Sequence, residues 1–130
     1  MVNNALSNQM NNSTKLNNGM TMPLLGLGVY DMYKAAAERA VEEALRVGYR
    51  LIDTASMYEN ELEIGNAIKN AGVDRKDIFL TTKLNNTDHG YDLALKAFED
   101  SLKKLDQDYV DLYLIHWPIN EGRAASWKAL

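Results

Sequence analysis

From Leu24 onward, short apolar runs alternate with longer stretches of helical period, and this alternation restricts the fold of the 130-residue chain more than any other feature. It is the pattern of βα units joined into a parallel sheet. The runs Leu24–Gly28, Tyr49–Asp53, Ile78–Lys83 and Tyr109–Ile115 predict four strands, apolar and rich in β-formers as strands covered on both faces are. Helices are predicted between them. Ala37, Ala40, Val41, Ala44 and Leu45 fall on one helical stripe, with Gly48 placed to end it. Asn60 followed by Glu63 reads as a capping pair for a second helix, whose apolar contacts would come from Leu62, Ile64, Ile68 and Ala71 before Gly72 stops it. A third stripe is Tyr91, Leu95, Phe98, Leu102 and Leu105, and a fourth helix opens near Ala124 and is cut off at Leu130.

Ahead of these units, Thr14–Leu16 and Met20–Met22 read as a β-hairpin around Asn17-Asn18-Gly19, because Asn and Gly tolerate the positive φ of tight turns. Seven asparagines among the first 18 residues leave almost no apolar periodicity, so residues 1–12 are expected to be a loose tail and 13–130 the folded domain. Two architectures suit repeated parallel crossovers, an open doubly wound sheet or a (β/α)8 barrel. Gly26-Leu27-Gly28 is followed by Val29-Tyr30-Asp31, so the dinucleotide fingerprint fails at its third glycine and the weight moves to the barrel.

Charge narrows the partners. Fourteen Lys and Arg against 18 Asp and Glu give a net charge of −4, the wrong sign for the basic footprint of a nucleic-acid or polybasic membrane binder. With no cysteine there is no disulfide, thiolate metal site or cysteine nucleophile, and two histidines leave little to ligate a metal. The longest uncharged apolar stretch, Met22–Tyr30, is far short of the roughly 20 residues of a membrane span. A cytoplasmic protein without a metal is expected.

Asp53, Lys83 and His116 stand at the C-terminal ends of three successive predicted strands, with Tyr58 in the loop after Asp53, and barrel enzymes assemble their sites at that end. The set suits proton transfer to a carbonyl oxygen. A tyrosine, whose reference pKa is about 10, gives up its proton readily only with help from a neighbouring ammonium. Lys83 is placed to be that ammonium, Asp53 to hold it, and neutral His116 to donate a hydrogen bond to the substrate oxygen once its other ring nitrogen is fixed. Taken singly, each has an ordinary reading: a helix-capping carboxylate, a solvated lysine, a half-buried tyrosine, a core histidine. Four on one face read as a site. Glu59 and Glu61 flank the second helix start and read as structural, His89 as a surface residue beside a capping Asp88, and Trp117-Pro118 as a pocket wall or a packing aromatic.

The run from Gly48 to Gly65, Gly-Tyr-Arg-Leu-Ile-Asp-Thr-Ala-Ser-Met-Tyr-Glu-Asn-Glu-Leu-Glu-Ile-Gly, resembles the aldo-keto reductase signature throughout. Met22–Gly28 resembles the family's opening, Thr82-Lys83-Leu84 its third strand end and Asp111–Pro118 its fourth, so the likeness runs from about Thr14 to Leu130. The resemblance implies a (β/α)8 TIM barrel and NAD(P)H-dependent reduction of a small carbonyl substrate, with Tyr58 as proton donor, Lys83 and Asp53 tuning it, and His116 with Trp117 meeting the substrate. It places Gly28, Val29, Tyr30 and Asp53 on the nicotinamide side of the cofactor, and favours NADP over NAD. It also implies that this chain is the N-terminal half of the barrel. In similar proteins most cofactor contacts come from the fifth to eighth strands, so little activity is expected of the 130 residues alone, and the open strand edges are expected to drive self-association or aggregation. Two other classes fit the residues: a non-catalytic half-barrel that recruits a partner chain, and a lyase in which Lys83 forms a Schiff base.

Overall fold

The computed structural model describes residues 12–130. The proposed tail lies almost wholly outside them. The first two strands, β1 (Ser13–Lys15) and β2 (Thr21–Pro23), form the expected antiparallel hairpin with Thr14 opposite Met22, one residue displaced from the strands read in the sequence. Gly19, at φ +88°, makes the reversal, and the Leu16 N–H closes the turn on the Met20 carbonyl.

Four βα units follow. They are β3 (Leu27–Gly28) with α1 (Lys34–Arg46), β4 (Leu51–Asp53) with α2 (Glu61–Asn70), β5 (Phe79–Leu84) with α3 (Tyr91–Leu105), and β6 (Leu112–Ile115) with α4 (Arg123–Ala129). The four strands form one parallel sheet in the order β3-β4-β5-β6. A doubly wound sheet reverses its strand order at a switch point; this one never does, and it has the arrangement of half a (β/α)8 barrel.

Each strand is shorter at its start than the apolar run that predicts it. Leu24 belongs to the hairpin, its N–H bonded to the Asn12 carbonyl, and its side chain is exposed. Arg50, just before β4, uses its guanidinium on the Leu45 and Tyr49 carbonyls.

Register divides the sheet into two faces. Side chains alternate along a strand, and the pairings Ile52 with Leu80 and Thr82 with Tyr113 set those residues on the helix side. There Ile52 and Leu80 pack with Val41 and Leu45 of α1, Ile64 of α2 and Leu105 of α3, all buried. The stripe on α1 lands as read, and Gly48, at φ +110°, ends that helix. Leu62 does not join the core: it is exposed, as are Tyr91 and Leu95 on α3. The other face carries Asp53, Thr81, Lys83 and Leu114 in matching register, with His116 two residues beyond Leu114. At the opposite end of the strands, Arg75 bonds the Asp111 carboxylate at 2.9 Å and the Ile78 carbonyl at 2.7 Å, while Asp111 also accepts from the Leu80 N–H. That cluster clamps β5 to β6 far from the polar ends.

Helices α2 and α3 come close at Gly65, where a Cβ would run into the Leu105 backbone carbonyl. Gly65→Ala is expected to cost about 1–3 kcal/mol by overpacking. Gly28, whose Cβ would meet nothing, should tolerate Ala within about 0.5 kcal/mol. Chemical denaturation of the two variants checks the contrast; equal losses would contradict the close approach.

Candidate active site

Lys83 is the next-to-last residue of β5, and its side chain is 13% exposed. Its ammonium donates to Asp53 Oδ2 at 2.8 Å and to the Thr54 carbonyl at 2.9 Å, and lies 3.5 Å from the Tyr58 hydroxyl. An ammonium has three N–H donors, and these three partners occupy them. The Asp53 side chain is 35% exposed, so the pair is sheltered more at its cationic end.

Tyr58 ends a short helical turn, Ser56–Tyr58, that is reversed by Glu59 in the left-handed region at φ 55°. Ser56 Oγ donates to the Lys83 carbonyl at 3.0 Å, which ties the turn to β5. The Tyr58 ring meets His116 edge to face at 5.5 Å between centroids, and Tyr30 on its other side at 5.2 Å. His116 continues the β6 ladder, its N–H bonded to the Leu84 carbonyl, and its ring stacks on Trp117 at 6.2 Å.

Burial holds the His116 imidazole below its ordinary pKa, the Lys83 ammonium adds to that effect and the Asp53 carboxylate opposes it. The imidazole is therefore neutral near pH 7 and able to donate one hydrogen bond. Its Nδ1 is buried and has no hydrogen-bond partner among the described residues. The second group expected to fix that nitrogen is not found there; two aromatic neighbours hold the ring instead.

The remaining sequence candidates gather beside the four. Gly28 pairs in register with Asp53 and has open space where a Cβ would stand, room that a flat ring could use. Tyr30 is 68% exposed and Trp117 57%. Val29 is different. Its side chain is in the core, its N–H is given to the Asp53 carbonyl and its own carbonyl accepts from Asn60. Among the described residues no group of three acidic or histidine side chains could hold a metal, and no helix is long and apolar enough to cross a membrane.

A family model described as the aldo/keto reductase family matches residues 22–130. The chain belongs to the aldo/keto reductase family. It is 53% identical over 116 residues to a morphine 6-dehydrogenase of Pseudomonas putida, a match covering 88% of this chain and 39% of that protein. Against a glyoxal reductase of Bacillus subtilis, identity is 46% over 122 residues, covering 93% and 44%. The solved aldo-keto reductase of Bombyx mori in complex with NADP superposes with a TM-score of 0.85 at 37% identity, covering 91% of this chain and 45% of that one. The chain thus spans about two-fifths of the length of the curated relatives it matches.

Beside these groups, Asn60 is not the cap that its position suggests. Its side chain makes no cap bond on α2 and is fully buried between loops, accepting from Thr54 Oγ1 and donating to the Val29 and Met32 carbonyls. A polar residue just before a helix looks like a cap, and nothing in the sequence separates the two uses. Glu61 is structural as expected, though through a buried bond from Thr82 Oγ1 at 2.6 Å. Asp88 does not cap α3; Gly90 holds that position, and His89 turns inward to Ser126.

The electrostatics predict that His116 titrates below its ordinary midpoint of about 6.5, and that Lys83→Met moves the midpoint upward by removing a cation. Proton NMR of the imidazole reads both; a midpoint above 6.5, or a downward move, would contradict the assignment of causes.

Proposed function

We propose that this chain carries the proton-transfer groups of an NADPH-dependent reductase that converts aldehydes or ketones to alcohols. The observation that carries the reading is the Tyr58 hydroxyl standing 3.5 Å from an ammonium that Asp53 and the Thr54 carbonyl hold in place. When bound, the reduced nicotinamide supplies the hydride. The Tyr58 hydroxyl gives its proton to the carbonyl oxygen, the Lys83 ammonium stabilises the phenolate left behind, and neutral His116 donates a hydrogen bond that orients the same oxygen. Gly28, Tyr30 and Asp53 border the space for the nicotinamide, and Val29 contributes only by fixing the backbone between them.

The relatives named above support a small carbonyl substrate, and the NADP-bound neighbour supports NADP over NAD. Residues 13–130 are read as one domain of a cytoplasmic protein. Among the described residues the outer edges of β3 and β6 have no strand partner. Reduction is expected from an assembly in which those edges are covered, by self-association or by further chain. A Schiff-base lyase is disfavoured, because the Lys83 nitrogen is engaged as a three-way donor and offers no free lone pair.

Tyr58→Phe tests the reading. It should lower kcat for NADPH-dependent reduction of a small aldehyde by about 100-fold or more, the scale of a lost general acid, while NADPH binding by fluorescence titration stays as in the parent. A variant as fast as the parent would remove Tyr58 from the proton-donor role.

A further inference from the structure

Among the described residues four non-glycine residues lie in the left-handed region, and three of them stand near Asn60: Asp31 at φ 60° in the loop after β3, Lys34 at φ 51° as the first residue of α1, and Glu59 at φ 55° beside Tyr58. Backbone held in that region persists only where the surroundings over-determine it. Asn60 follows Glu59 directly and bonds carbonyls on both sides of Asp31. Its single amide uses its oxygen on Thr54 Oγ1 at 2.7 Å and both N–H groups on the Val29 and Met32 carbonyls at 2.9 Å each. The Thr54 it grips is the residue whose carbonyl takes one bond of the Lys83 ammonium. The loop it holds by two carbonyls carries Tyr30, whose ring closes one side of Tyr58.

We infer that Asn60 is a positioning residue for proton transfer: one buried amide sets the Tyr58 turn, the Tyr30 loop and the Thr54 carbonyl relative to one another. The inference rests on the reading of Tyr58 as proton donor, and it goes beyond that reading by placing the control of Tyr58 geometry in a residue that touches no reacting atom. Only an amide meets the demand. Aspartate has the same shape but no N–H, so it would leave two carbonyls without a donor and set a carboxylate against them.

The test compares Asn60→Asp with Asn70→Asp, the same change at the exposed end of α2. Two readouts are taken: kcat and KM for reduction of methylglyoxal with NADPH, and the NMR cross-peaks between the Tyr30 and Tyr58 rings. Asn60→Asp should lower kcat by about 100-fold, the scale of a roughly 1 Å misplacement, with KM for NADPH within about threefold of the parent, and the ring cross-peaks should weaken. Asn70→Asp should change neither. Should Asn60→Asp not fold, Thr54→Val replaces it, removing the hydroxyl donor at equal volume, and the same kcat loss and weakened cross-peaks are expected. Parent-like kcat with unchanged cross-peaks in the folded variant would overturn the inference, as would a KM rise without a kcat loss. If the parent reduces no carbonyl even in an assembly whose strand edges are covered, the reductase reading fails, and the cross-peaks alone decide whether Asn60 sets the Tyr58 geometry.

Discussion

The ion pair between Lys83 and Asp53 joins two neighbouring strands at their C-terminal ends, and the polar face of the sheet is arranged around it. Register explains how the pair forms. Asp53 lies opposite Thr81, two residues before Lys83 on the same face, so the lysine stem has to lean back along β5 to reach the carboxylate. That lean takes the ammonium past the Thr54 carbonyl and beneath Tyr58, with the nitrogen 5.0 Å from the ring centroid. A residue with a shorter side chain could not span those positions, and an uncharged one would leave the Asp53 carboxylate without its partner.

The two faces of the sheet do different work. On the helix side, β-branched and leucine side chains close a core with α1, α2 and α3; Glu61 Oε1 accepts there from Thr82, while Glu61 Oε2 and the Tyr113 hydroxyl are buried without a partner among the described residues. Along the strands the two ends are also distinct. Arg75 and Asp111 bind backbone at the N-terminal end, with the guanidinium 4.0 Å over the Tyr109 ring, and serve cohesion. Asp53, Lys83 and His116 stand at the other end, where the loops leave space. This separation lets the site hold a sheltered ammonium while the rest of the barrel half stays bound by ordinary packing.

Much of this was legible in the sequence, and the physical reasons differ by residue. The βα alternation could be read because a buried parallel strand and an amphipathic helix have different periods. The positions of Asp53, Lys83 and His116 at one end of the sheet could be read because each closes an apolar run, whereas Tyr58 sits on a turn beyond β4. The strands begin later than the apolar runs at Leu24, Tyr49 and Tyr109, since backbone groups there bond elsewhere: the Leu24 N–H to the Asn12 carbonyl, the Tyr49 N–H to the Ala44 carbonyl of α1, and the Tyr109 carbonyl to Arg75. Leu62 faces outward because it stands two residues before Ile64, on the other side of α2 from the Ile64, Ile68 and Ala71 stripe. Asn60 was read as a cap because its partners are some thirty residues away in sequence, on a loop after β3.

The claim on which the account stands is that Lys83 and Asp53 act on Tyr58 as one unit. A double-mutant cycle on carbonyl reduction, with Lys83→Met, Asp53→Asn and the double variant, measures this directly. A single unit predicts a double variant no slower than the slower single variant, because removing either member already dismantles the pair. Losses that multiply would contradict it, and would mean that the two groups serve the reaction separately.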